Sequence, residues 1–339
     1  MSVDAQTAAR LDDALAHYAS GTRLLGASAA VDTIDGSWSG ASGAAGFDGN
    51  VVTTCDRFRI YSITKVYTAA IAMQLVEQGL LALDDRVARW YPALPNAERI
   101  AIRDLLAHTS GLFDYLGDAD VWNARMQAWD HDALIAEAAG HPAAFAPGMA
   151  FDYSNTNYLV LGRIIERVTG DTYVAQLHHR ILDPLELHET FLEGEDAMTG
   201  RLVAGSSLGP EGPHPYEFVH PSLAWSAGGL VATAADVMRF AHALFEARLV
   251  GASSLQAMMT AVTLATGEPA PYGLGLQVID SPWGPYVGKA GGGSCCDFSS
   301  WFGALPARGT IVTTLVSTGN VSSFQLATDI IEGAIPRAR

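Results

Sequence analysis

Lysine is almost missing from this chain. Its 339 residues include only Lys65 and Lys289, and the other eighteen of its twenty basic side chains are arginines. An ammonium can lose and regain a proton near neutrality, whereas a guanidinium cannot. A sequence that meets its need for positive charge with arginine therefore keeps lysine for places where an amine must titrate. Positive charge is scarce altogether: 20 basic against 36 acidic residues leave a formal net charge of -16. That balance argues against nucleic acid or an anionic membrane surface as a partner. Cysteine is scarce too. Cys55, Cys295 and Cys296 form neither a disulfide framework nor a metal-ligand spacing, and are expected to be thiols in a reducing compartment. No uninterrupted apolar run approaches a bilayer span. The stretch Met1 to Asp13 lacks the basic and apolar regions of a secretory signal, so a cytoplasmic location is expected. With 49% hydrophobic and 17% charged residues, the composition is that of a soluble globular enzyme. The length suits one large domain or two interleaved ones.

One of the two lysines closes the stretch Ser62-Ile63-Thr64-Lys65, at the head of a segment that predicts a helix ending at Gly79. Positions i and i+3 share a helix face, so Lys65 can reach the Ser62 hydroxyl, and the pair reads as a nucleophile and its base. The run from Val66 to Gln78 is mostly apolar on every side, as expected of a helix buried within a domain, and Gly79 suits a left-handed cap. Taken alone, Ser-x-x-Lys fits an ordinary helix start equally well.

Residues 4–19 carry Leu11, Leu15 and Tyr18 at helical spacing. Two short strands are predicted around 24–33 and 37–42, with Asp35-Gly36 as the turn between them. Helical segments follow at 102–107 and 159–168, the latter closed by Gly170. Residues 205–224, rich in Gly, Pro and His, read as a surface loop. Thr233 and Asp236 have capping-box spacing and open a helix reaching Phe245. The last hundred residues change character, with β-rich runs at 272–279, 286–291, 298–304 and 310–316 and a closing helix over 323–331. Strands at both ends around a helical middle imply an α/β (α+β) fold: one antiparallel sheet built from both termini and flanked by helices, with an all-helical region inserted. The expected division is 1–60 with 225–339 as the sheet domain, 61–224 as the helical domain, and an active site between them.

Two further constellations stand out: Tyr153-Ser154-Asn155, and Lys289-Ala290-Gly291 followed by Gly292 and Gly293. With these in the same order as Ser62-x-x-Lys65, the chain resembles the serine β-lactamase and penicillin-binding-protein superfamily, above all its class C β-lactamase, family VIII esterase and D-aminopeptidase branches. The resemblance runs from Gly26 to Asn320 and includes Phe58 to Lys65, Leu105 to Leu112, Tyr153 to Tyr158 and Ala227 to Leu230. It implies that Ser62 attacks a carbonyl to form an acyl-enzyme, with Lys65 and Tyr153 as candidate bases. Lys65 and Lys289 together would draw the phenol of Tyr153 toward ionisation near working pH. Asn155 would orient Lys65 and offer its amide to the substrate, and Gly291 would belong to the substrate-binding strand. The N–H groups of Ser62 and Gly292 would form an oxyanion hole at the positive end of the Ser62 helix.

The chain also departs from the family pattern. Lys289 keeps a charge where many esterases of the family have His or Trp, but Ala290 stands where β-lactam binders have Thr, which weakens carboxylate recognition. Tyr61 looks like the esterase-type members. Ser294-Cys295-Cys296-Asp297 replaces the usual Pro-Gly; a regular strand would put Cys295 and Asp297 on the face of Lys289, where Asp297 would meet a substrate ammonium, although a polar turn is the plainer reading. Other motifs are decoys. Gly205-Ser206-Ser207-Leu208-Gly209 matches a nucleophile elbow, but Pro210, Gly212 and Pro213 leave no helix after Ser207. His108 and Ser110 look like a catalytic pair, but the resemblance implies that their segment is a structural helix end with Gly111 as the cap. His178, His179 and His188 lack further ligands at metal spacing.

The implied function is a serine hydrolase acting on a small ester or amide, of esterase, amidase or D-aminopeptidase type, with weak β-lactamase activity possible. No metal or organic cofactor is implied, and the expected partner is the small-molecule substrate, with oligomeric state open. Three alternatives remain: a transacylase using the same acyl-enzyme, a catalytically silent binding protein on this fold, and an α/β-hydrolase using Ser207.

Overall fold

The structure is a computed structural model that describes residues 1–217, 219–292 and 296–335. The sheet is built from both ends of the chain. Helix α1 (Ala5–Thr22) leads into strands β1 (Gly26–Thr33) and β2 (Gly36–Gly43); the long middle holds helices α2 (Thr64–Glu77), α3 (Asn155–Thr169) and α4 (Ala234–Phe245). Strands β3 (Gln277–Ser281), β4 (Gly284–Gly292), β5 (Ser299–Leu305) and β6 (Thr310–Val316) follow, and helix α5 (Ser323–Ala334) closes the fold. The six strands lie in the order β2-β1-β6-β5-β4-β3, antiparallel at every pairing.

Alternation along the strands splits the interior into two layers. On β5, Trp301 and Leu305 join Leu11 and Leu15 of α1 and Ile330 and Ile331 of α5 on one side of the sheet. Phe302 and Ala304 face the other way, into a core shared with α2, α3 and α4. There the Tyr67 ring of α2 stacks on Phe240 of α4, with centroids 3.6 Å apart and planes 9° apart. Helix α2 is buried from Thr64 through Met73, which is why its sequence shows no polar face. It runs on to Gln78 in right-handed conformation, and Gly79 takes the left-handed φ of 70° that ends it. Gly170 ends α3 in the same way, with φ 73°.

Several expectations need correction. The region 61–224 is not all helical: its Phe191–Leu192 joins Phe58–Arg59 and Leu230–Ala232, from outside that region, in a small second sheet. Residues 205–224 hold a hairpin, Ser206–Gly209 with Gly212–Pro215, and a helical turn, Pro221–Leu223. The first of the late strands starts at Gln277 rather than Tyr272, because Tyr272 forms an isolated bridge to Gln277 that bends the chain back. The first hairpin turns at Ile34-Asp35, with Gly36 already paired to Thr33. The capping box at Thr233 is half made: Thr233 caps the Asp236 N–H, while the Asp236 carboxylate accepts from Glu189 and Thr190 instead. Among the described residues no helix is long and apolar enough to cross a membrane.

Candidate active site

Ser62 sits in a tight helical turn, Tyr61–Ile63, that leads directly into α2. One turn further on, Lys65 is wholly buried, and its Nζ lies 3.1 Å from Ser62 Oγ, 2.7 Å from Asn155 Oδ1 and 2.7 Å from the Ala227 carbonyl. Asn155, the first residue of α3, donates its Nδ2 to Asp114 Oδ2 over 2.8 Å. A carboxylate accepts hydrogen bonds and an amide nitrogen donates them, so Asp114 fixes which end of the Asn155 amide faces Lys65. Asn155 Oδ1 and the Ala227 carbonyl can only accept. They occupy two of the three bonding directions of Nζ, leaving the third, toward Ser62, for either a hydrogen or a lone pair. Burial raises the carboxyl of Asp114 above its ordinary range.

Tyr153 approaches from the segment just before α3, and its hydroxyl donates to Ser62 Oγ over 2.8 Å. Both lysines lie against its ring: Lys65 Nζ is 4.9 Å from the centroid and Lys289 Nζ is 4.5 Å. Lys289 pairs with Phe302 across the β4–β5 ladder and so points to the same side of the sheet as the Ser62 turn, whereas Ala290 pairs with Trp301 and packs with the α1 and α5 layer. Behind Tyr153 lies His108, buried, with its ring centroid 4.2 Å from that of Tyr153. His108 Nδ1 accepts from the Ser154 N–H and the Asn157 amide. Burial first, and then the charges of Lys65 and Lys289, hold its pKa well below the usual histidine range. His108 is therefore a neutral platform under the phenol and forms no pair with Ser110, whose hydroxyl donates to Asn157 Oδ1 at 2.6 Å.

Burial pushes the Lys289 amine down to about 7. An unfolded lysine keeps its proton to about 10.4, so above about pH 7 the unfolded chain binds more protons than the folded one, and stability rises with pH. Thermal unfolding should show the midpoint climbing from about pH 7 to about 9, below the range where buried tyrosines such as Tyr18, pushed up to about 12, begin to oppose it. In Lys289→Met the climb flattens. An equal climb in both proteins would mean that Lys289 does not carry it.

Strand β4 passes close beside the Ser62 turn. A Cβ at Gly291 would collide with the Ile60 carbonyl and Ser300 Oγ and stand 3.0 Å from Ser62 N. Gly292 has φ 68°, and a Cβ there would collide with the Phe298 carbonyl and come within 3.1 Å of the Tyr61 ring. Both glycines are required by close backbone approach. The Ser62 backbone is thereby brought to the end of β4, where two N–H groups can converge on one oxygen.

A cavity of about 730 Å³ opens over Ser62. Its wall is mostly apolar and aromatic, including Leu116, Trp122, Tyr216, Val219 and Leu223. Asp114 and Asp118 also line it, while among the described residues no Lys, Arg or His does. Lys289 lies buried beside Tyr153. Three parts of this site escaped the sequence reading: Asp114, the neutral role of His108, and the wall supplied by Tyr216, Val219 and Leu223, in a stretch read as surface loop. Asp297 lies in a bend ahead of β5 rather than on a continuing strand. It is buried, and its oxygens accept from the Tyr61 hydroxyl and from Arg59 Nη1 at 2.7 Å, so it is not presented to a substrate ammonium. The expectation for Cys295 falls outside the described residues. Among the described residues no cluster of His, Cys, Asp and Glu is arranged to hold a metal ion.

The family model described as Beta-lactamase matches residues 11–334. Penicillin-binding protein 4 of Amycolatopsis lactamdurans is 33% identical over 301 residues, covering 81% of this chain and 76% of that protein. Two further curated relatives are covered over only 55% and 53% of their own length. Among solved structures, a D-stereospecific amidohydrolase from Streptomyces sp. superposes with a TM-score of 0.82 at 29% identity, covering 98% of this chain and 99% of that one. The D-amino acid amidase from Ochrobactrum anthropi SV3 does so with a TM-score of 0.81 at 26% identity, over 97% and 100%.

Proposed function

The chain belongs to the beta-lactamase family and is a serine hydrolase of the ester- and amide-cleaving type, and from that premise we propose that it hydrolyses small amides and esters of D-amino acids bearing an apolar side chain. The observation that carries this reading is the convergence of Lys65 Nζ and the Tyr153 hydroxyl on Ser62 Oγ, at the floor of an apolar cavity whose charged lining groups are carboxylates. In the proposed cycle Ser62 attacks the substrate carbonyl and passes its proton to the Tyr153–Lys65 pair. The oxyanion is held by the N–H groups of Ser62 and Gly292, with Gly291 giving the strand room to approach. The proton then goes to the leaving amine or alcohol, and water releases the acid by the reverse path.

Electrostatics favours an amine on the substrate over a carboxylate. Asp114 and Asp118 attract an ammonium, and among the described residues the lining offers a carboxylate no cation. The preference for the D configuration rests on the two solved neighbours named above. A cytoplasmic setting is part of the proposal, because it keeps an exposed thiol such as Cys55 reduced.

The test is steady-state hydrolysis of D- and L-phenylalanine amide, N-acetyl-D-phenylalanine amide and benzylpenicillin, with intact-protein mass spectrometry of each mixture. D-phenylalanine amide should be the best of the four. N-acetylation, which removes the ammonium, should cost about tenfold or more in kcat/KM, the equivalent of about 1.4 kcal/mol. A penicillin turned over faster than the free-amine amide would overturn the substrate assignment. Transfer of the acyl group to an added amine in preference to water would replace hydrolase with transacylase.

A further inference from the structure

Tyr61, the residue before the nucleophile, has a left-handed backbone, φ 44°, which costs a non-glycine residue roughly 1 kcal/mol or more. Such a conformation persists only where the surroundings impose it. Here they do so through the side chain. The Tyr61 hydroxyl donates to Asp297 Oδ1, and Asp297 Oδ2 accepts from Arg59 Nη1 at 2.7 Å. Arg59 in turn binds both oxygens of Glu193, Nε at 2.8 Å and Nη2 at 2.7 Å. The Tyr61 ring also packs near Phe298, with centroids 6.4 Å apart. Asp297 is 4% exposed, and a Cβ at Gly205 would collide with its carboxylate, so it has no room to swing away.

The two ends of this bond lie on different walls of the site. Tyr61 belongs to the turn that carries Ser62, and Asp297 stands two residues before Ser299, the residue paired with Gly292 across the β4–β5 ladder. We infer that the Tyr61–Asp297 hydrogen bond positions the oxyanion hole, tying the turn that presents the Ser62 N–H to the strand end that presents the Gly292 N–H. This inference rests on the acyl-enzyme reading proposed above. Tyr61 and Asp297 are positioning residues in this scheme: they hold the spacing between two donors while the donors themselves contact the oxyanion. A hydrogen-bond pair preorganised for developing charge acts on the transition state far more than on the bound substrate. Losing the latch should therefore lower kcat and leave KM nearly unchanged.

The experiment compares wild type, Tyr61→Phe, Asp297→Asn and Ser62→Ala with p-nitrophenyl acetate as substrate and phenylboronic acid as the probe that forms a tetrahedral adduct on a serine. For Tyr61→Phe, kcat should fall about tenfold, KM should stay within about twofold, and phenylboronic acid should bind about tenfold more weakly, in step with kcat. Asp297→Asn keeps an acceptor oxygen for the Tyr61 hydroxyl and should recover most of that loss. If Tyr61→Phe is unfolded by circular dichroism, Asp297→Ala is read in its place with the same expected split. Boronate affinity and kcat within twofold of wild type in the variant read would overturn the inference while leaving the acyl-enzyme reading intact. A loss shared equally by kcat, KM and thermal midpoint, with no separate loss of boronate affinity, would reduce the latch to ordinary packing. Ser62→Ala separates the two readings: boronate binding that survives it would overturn the acyl-enzyme reading, and the latch inference with it.

Discussion

Ser62→Ala should abolish the covalent adduct and lower kcat by about 10⁴-fold or more, the scale on which removing a serine nucleophile from its catalytic group acts. The chain should stay folded, because the change removes one oxygen from a turn whose helix is held by other contacts. Lys65 keeps Asn155 Oδ1 and the Ala227 carbonyl, and α2 keeps its stacking on α4. KM should change little, since the cavity wall formed by Trp122, Tyr216 and Leu223 is untouched. Intact-protein mass spectrometry after brief exposure to p-nitrophenyl acetate, with turnover followed in parallel, checks both parts. Ser207→Ala serves as the counterpart. Ser207 lies on a hairpin whose next element is another strand, so it lacks the strand-to-helix turn of a nucleophile elbow, and its loss should leave labelling and rate unchanged. Labelling that survived Ser62→Ala and vanished in Ser207→Ala would reverse the assignment. A wild type that neither labels nor turns over any substrate would revive a silent binding protein.

Legibility of the site from the sequence followed how local each feature is. Ser62 and Lys65 are one helical turn apart, and Lys289, Gly291 and Gly292 lie along one strand, so spacing alone groups them. The sheet was legible for a related reason: β-rich runs at both ends of a chain with a helical middle leave few ways to bury their apolar faces. What stayed hidden depends on which distant segments meet. Asp114 acts on Asn155 across a separation of 41 residues, and nothing in Phe113-Asp114-Tyr115 announces that contact. Residues 205–224 are rich enough in Gly, Pro and His to read as a surface loop, yet Tyr216, Val219 and Leu223 form a wall of the cavity over Ser62. For Asp297 the plainer of two readings held: a regular strand would have presented it to a substrate ammonium, but it lies in a bend and turns back under Tyr61. The scarcity of lysine carried further than any motif. Both lysines lie within 5 Å of the centroid of the same phenol ring, and one of them titrates at about 7 because it is buried there.

Lys65→Met and Tyr153→Phe should each lower kcat by about 10²- to 10⁴-fold, the usual worth of a positioned acid–base group, and the double variant should be no slower than the slower single. The geometry gives the reason. Ser62 Oγ accepts from Lys65 Nζ and from the Tyr153 hydroxyl at once, so before attack the serine proton has two possible destinations, and whichever group receives it depends on the other to have released its own. Because Asn155 and Ala227 fix two of the Nζ hydrogens, the third can pass between Lys65, Ser62 and Tyr153 without rearrangement. Independent groups would multiply their effects, giving losses of about 10⁶-fold or more in the double variant, whereas groups serving one proton fail together. Stability separates the two singles. Lys65→Met strands two buried oxygens and should cost about 1 to 3 kcal/mol for each, while Tyr153→Phe keeps its ring against His108 and should change the thermal midpoint little. The check is a double-mutant cycle on kcat with thermal unfolding of each protein. Losses that multiply in the double variant, in kcat and in single-turnover acylation alike, would show that Lys65 and Tyr153 act independently and do not serve one proton.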